Sequence, residues 1–187
     1  MCRFLTGSAR LEQTEKRRIW KLLDNEVFKT NNGSLCLVPR NMLSDNYTIP
    51  LAVAVIAGSP VDFDTRCSHL HDLACFGHSI IEITLTEKEL RDLEYLRYSD
   101  KNRMWICEDI PKEYLKIRKV SKIEADNLLY ECMRASWVPS ISCIIIRLGV
   151  IFNIGWLLDF IFKKVLDFDL DRIYEEDYWK ERVYVNR

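Results

Sequence analysis

The chain has only three histidines, six glycines and five prolines among its 187 residues. No stretch rich in Gly, Pro or Ser separates two parts of it, and it has no internal repeat. A single domain spanning residues 1–187 is therefore the simplest expectation, and that length is enough to bury a real core. Charge of one sign is also missing: 27 basic and 28 acidic side chains leave a formal net charge of −1. A nucleic-acid binder usually carries a basic excess, so no nucleic-acid partner is expected. No Cys-x-x-Cys pair occurs among the seven cysteines, which excludes a zinc ribbon and a thioredoxin-type motif. Their odd number and irregular spacing fit reduced, mostly buried thiols in a cytosol. Met1 to Trp20 lacks an apolar h-region, so no secretory leader is expected and the expected compartment is the cytoplasm.

One long apolar run is present. Trp137 to Leu158 carries a single charge, Arg147, over 22 residues. That length can cross a bilayer. However, Pro139, Ser140, Ser142 and Asn153 interrupt it, and a central arginine costs about 2.5–3.5 kcal/mol on insertion. The favoured reading is buried helix. Membrane association through residues 137–162, with Lys163 and Lys164 at the boundary, is the alternative.

The pattern along the chain predicts α+β: a mostly helical single domain with a small antiparallel hairpin or sheet. Leu11 to Leu23 reads as helix. Glu26–Lys29 and Ser34–Val38 read as strands joined by an Asn31-Asn32-Gly33 turn, and Pro39 ends the second. Ile49 to Ala57 is an apolar helix candidate opened by Pro50. Asp64 or Thr65 caps a helix that Gly77 ends. Ile80 to Leu85 reads as strand. Thr86 with Glu89, and Ser121 with Glu124, form capping boxes that open helices to about Tyr98 and about Ser136. Apolar helix follows from about Pro139, and residues 150–187 form a helical C-terminal extension.

All three histidines lie within ten residues, in Cys67-Ser68-His69-Leu70-His71-Asp72-Leu73-Ala74-Cys75-Phe76-Gly77-His78. Histidine is the side chain best suited to proton transfer and metal binding near neutral pH. On a helix Cys67, His71 and Cys75 share one face, while His69 points nearly opposite. Cys67 and Cys75 are about 12 Å apart along the axis, too far to share one ion. Any metal ligands besides His71 would be carboxylates, with Asp45 and Asp72 as candidates. A cysteine nucleophile, Cys67 or Cys75, with a histidine base is the other chemistry such a cluster offers. His69 and His78 are expected at the surface or at the helix end. The metal-dependent phosphohydrolases named for a His-Asp pair need a further upstream histidine, and none precedes His69.

Two segments together resemble a known family. Val38-Pro39 ends a strand, Asp45, Ile49 and Pro50 follow in order, and the His71-Asp72 dyad comes after an apolar stretch. Ala125-Asp126-Asn127-Leu128-Leu129-Tyr130 and Arg147-Leu148-Gly149 come later. This order resembles the small phage and bacterial proteins grouped as domain of unknown function 1353, over about Val27 to Gly149. Thr48 stands where that family usually has serine, and Tyr47 where it has a small residue. The resemblance implies a phage or prophage origin and an α+β fold, but no activity. It draws attention to Asp45, Thr48, His71 and Asp72 as candidate catalytic residues.

Three functions stay open on the sequence. One is a protein that binds a host or viral protein in counter-defence or assembly, with the tail aromatics Phe160, Phe162, Phe168, Tyr174, Tyr178, Trp179 and Tyr184 as contacts. Another is a hydrolase with His71 as base or metal ligand and Asp45 as its orienter, served by a divalent metal. The third is the membrane-associated protein.

Overall fold

The computed structural model describes residues 2–7, 10–15, 19–44, 65–136, 138–151 and 168–185. These build ten strands in three antiparallel sheets and five short helices, with helix at 37% and strand at 28%. The expectation of a mostly helical chain with one small hairpin is thus overturned: strand is nearly as abundant as helix.

The largest sheet runs in the order β1 (Arg3–Phe4), β4 (Glu26–Lys29), β5 (Leu35–Val38), β7 (Ser79–Ile83), β10 (Leu115–Lys119). All four of its pairings are antiparallel. β4 and β5 are the hairpin read from sequence, with Gly33 at φ 92°, a left-handed position that glycine takes without cost. Every residue of β5 is buried, the burial expected of a strand covered on both faces.

A second sheet joins β2 (Leu11–Gln13), β3 (Trp20–Leu22) and β6 (Leu43–Ser44). Here the helix expected over Leu11 to Leu23 is replaced by two strands. The segment is rich in helix formers, but pairing of Trp20 with Ser44 and Lys21 with Leu43 ties it to β6 and overrides that weak preference. The third sheet is the hairpin β8 (Leu96–Ser99) and β9 (Met104–Cys107).

Helix α1 (Arg66–Gly77) packs on α3 (Lys122–Ala135) and on β5 and β7. Its residues 69–74 are all buried, so it is a central helix and not a surface one. Thr65 precedes it without a side-chain cap. His78, not Gly77, takes the left-handed position after it, at φ 45°. Gly77 serves close approach instead: a β-carbon there would sit 2.7 Å from the Phe168 ring.

Both expected capping boxes are formed, at Thr86/Glu89 and Ser121/Glu124. The first opens only a short α2 (Glu87–Asp92), because Leu96 to Ser99 leaves for β8. α4 (Ser140–Ile151) packs against α3 as an antiparallel partner: Arg134 bonds Ser140 at one end, and Arg147 donates to Asn127 Oδ1 (2.7 Å) towards the other. Helix α5 (Glu176–Val185) closes the chain on β6. Trp179 is fully buried and donates to Ile173 O (2.7 Å), with the Phe168 and Tyr178 rings beside it. These tail aromatics belong to the one hydrophobic core, so Phe168, Tyr178 and Trp179 do not form the contact surface expected of them. Phe160 and Phe162 lie outside the described residues.

No helix among the described residues is long and apolar enough to cross a membrane. Of the expected apolar segment, residues 138–151 are described, and residues 137 and 152–162 lie outside the described residues.

Candidate functional site

The chemistry-bearing side chains of α1 point in three directions. His69 faces β4, where its Nδ1 is 3.1 Å from both carboxylate oxygens of Glu26. His69 and Glu26 are 0% and 2% exposed, so the expectation of a surface His69 is corrected. The reason is the sheet: the helix side opposite His71 lies over β4 and β5 instead of solvent, and Glu26 meets the imidazole there.

His71 faces α3. Its Nε2 is 3.3 Å from Asp126 Oδ1 and 3.8 Å from Cys75 Sγ. Lys122, one turn before Asp126 on α3, donates to Asp126 Oδ2 at 2.6 Å. Asp72 turns a third way, accepting from Ser44 Oγ of β6. The adjacent His71 and Asp72 therefore meet different neighbours, Asp126 of α3 and Ser44 of β6. Asp45 and Thr48 lie outside the described residues; Ser44, just before them, is the neighbour that Asp72 holds.

The shared helix face is as predicted for His71 and Cys75, but the geometry is not that of a nucleophilic pair. A thiol–imidazole–carboxylate relay uses the two ring nitrogens separately, one for the nucleophile and one for the orienting acid. Here Cys75 and Asp126 converge on the same Nε2. Burial, with Asp72 and Asp126 nearby, pushes the Cys75 thiol well above its ordinary range. It is a neutral thiol at physiological pH, not an activated thiolate. Cys67 contacts Ser136 Oγ at 3.5 Å and stands apart.

Burial also lowers the His71 pKa below its ordinary value, with Asp126 pulling the other way. For Asp126, burial opposes ionisation, but the His71 and Lys122 contacts outweigh it and hold the carboxyl below its usual value. The result is a neutral imidazole between a thiol and a carboxylate that a lysine neutralises. A general base must reach the proton it removes, and His71 is 0% exposed. Among the described residues no group of three or more His, Cys, Asp or Glu can hold a metal ion.

Three partners here were not singled out from sequence: Glu26, Lys122 and Ser44. Asp126 was visible only as part of the later helix of the family resemblance, and the structure brings it to His71. Its signal is an acid beside the apolar stripe Ala125, Leu128, Leu129, Cys132 and Met133 of α3, one turn after a lysine. Glu26 had no such signal, since a strand-end glutamate ordinarily faces water. Comparison with protein-family models, curated proteins and solved structures gives no match for this chain.

Proposed function

We propose that this chain acts by binding a protein, a host or virion protein of a phage-infected cell, through an apolar face on the α3–α4 hairpin. The observation that carries this is the exposure of Ile141, Ile144 and Leu148, at 65%, 46% and 47%. They recur at spacings of three and four and so form one stripe along α4. Ile123, 70% exposed, lies near the start of α3, the end of the hairpin where Arg147 meets Asn127. Scattered exposed apolar residues are ordinary, but a contiguous row of large aliphatics is what partner proteins cover. Among the described residues of α1, His69 and His71 are meanwhile fully buried and each meets a buried carboxylate, which supports binding over catalysis. The phage setting rests on the family resemblance.

The test compares the full chain with an Ile144→Glu/Leu148→Glu variant of unchanged thermal stability. The wild type should retain one protein from a host extract, rebind it in purified form at a fixed stoichiometry, and lose it in the variant. Concentration-dependent dimerisation that the variant abolishes would assign the face to a second copy instead. Flotation with anionic vesicles, lost in the variant, would assign it to a membrane surface. Either result overturns the reading.

A further inference from the structure

A second region carries polar chemistry that the apolar face does not use. An open concavity of about 670 Å³ lies beside the β8–β9 hairpin. Three arginines from separate parts of the chain line it: Arg10 before β2, Arg40 in the turn after β5, and Arg97 on β8. Each is engaged side-on by one carboxylate. Arg10 gives Nε and Nη2 to Asp24. Arg40 gives Nε (2.8 Å) and Nη2 (2.7 Å) to Asp109. Arg97 gives Nε (2.9 Å) and Nη2 (2.6 Å) to Glu108. In all three the Nη1 amino group donates to no other described residue.

One of the three pairs, Arg40 with Asp109, has buried support behind it. Asn25, 2% exposed, donates to Asp109 Oδ1 (3.0 Å) and to Cys107 O (3.2 Å) and accepts from the Arg40 backbone N–H (2.7 Å). Three guanidinium groups are thus held by their inner edges with an outer edge left over. Arginines fixed in this way lose little freedom on binding an oxyanion, and their forked donors match phosphate. The lining carries three positive and three negative groups, so long-range attraction is weak. A ligand must meet the arginine ends directly. The volume falls in the range of small-molecule sites and far exceeds that of a lone phosphate. Leu23 and Ile106 supply apolar wall for an organic body. Covalent chemistry has no nucleophile here, because burial and the neighbouring Glu108 and Asp109 push the Cys107 thiol up to about 12.

We propose that this concavity binds a small organic phosphate carrying at least two anionic charges, of nucleoside-diphosphate size, through the outer edges of Arg10, Arg40 and Arg97. This does not depend on the α4 face. The test is calorimetric titration of the full chain at low salt with ADP, pyrophosphate, adenosine and citrate. ADP and pyrophosphate should bind and adenosine should not. Arg97→Gln and Arg10→Gln should each weaken ADP about tenfold, the loss of one charge-assisted contact, at unchanged thermal stability. The Ile144→Glu/Leu148→Glu variant should bind ADP like the wild type. Absence of heat with both phosphates, equal affinity in the arginine variants, or citrate binding in place of phosphate would each overturn the proposal.

Discussion

The surroundings of α1 and the concavity beside β8–β9 both set acids against basic side chains, yet the pairs do opposite work. Around α1, Glu26, His69, His71 and Asp126 are at most 2% exposed. Around the concavity, Arg97 and Glu108 are about half exposed, and so are Arg40 and Asp109. A buried pair is expensive to assemble and more expensive to break, because the survivor stays desolvated without a partner. An exposed pair contributes little to stability, since water replaces either member. The first kind fixes where helices sit. The second leaves side chains oriented but reachable, which is what a ligand needs.

The largest effects should therefore come from α1. Asp126→Ala removes the buried carboxylate that Lys122 and His71 share, and Glu26→Ala removes the buried carboxylate that meets His69. Each should cost about 3–5 kcal/mol in denaturant unfolding. A loss below about 1 kcal/mol in both would show that these pairs behave like surface ones and would break the comparison.

Next comes steric closeness at the end of the same helix. Gly77→Ala drives a methyl group to 2.7 Å from the Phe168 ring, which packs against buried Trp179. Overpacking of this kind should cost about 1–3 kcal/mol. Phe168→Leu should recover part of it if the ring is the cause, as melting of the double variant would show.

The His71 pair also makes stability depend on pH, with a definite sign. Its folded pKa lies below the ordinary 6.5, so the unfolded chain takes up the proton more readily. The neutral imidazole's contribution is whole above about pH 6.5 and is lost as pH falls towards the folded value. Asp126, held below its ordinary 3.8, adds a loss of the same sign in a lower window. Denaturant midpoints should fall between about pH 7 and pH 5. A His71→Gln variant should show a shallower fall, and the difference isolates His71 from His78, whose pKa burial also lowers. Identical slopes would remove His71 as the cause.

How much of this was legible depends on the range of the interaction. The β4–β5 turn and both capping boxes are set by residues within a few positions of one another, and they were read directly. The helix over the histidines was also local, and so was the spacing that separates His69 from His71. What failed was partly long-range: β3 also pairs with β6, and β10 with β7. The β2–β3 and β8–β9 hairpins are local in sequence and were missed as well. No local pattern announces that Glu26 will meet a histidine 43 positions away. The same reason hid the exposure pattern of α4: its apolar run reads as buried helix, yet only one side of it packs on α3. The arginines of the concavity stand 30 and 57 positions apart (10 to 40, 40 to 97), so sequence spacing could not group them.

The smallest expected effect separates the two regions most sharply. Arg97→Gln removes a partner of Glu108 that water replaces, so unfolding free energy should change by no more than about 1 kcal/mol. The same substitution deletes a donor fork from the concavity, and a neutral glutamine cannot supply its charge. Stability and binding should therefore come apart in this variant. In Asp126→Ala the reverse should hold: a large stability loss, with ADP affinity kept wherever the chain remains folded. If Arg97→Gln instead destabilises the chain as much as Asp126→Ala does, the pair is structural. The concavity is then only the outer edge of the core.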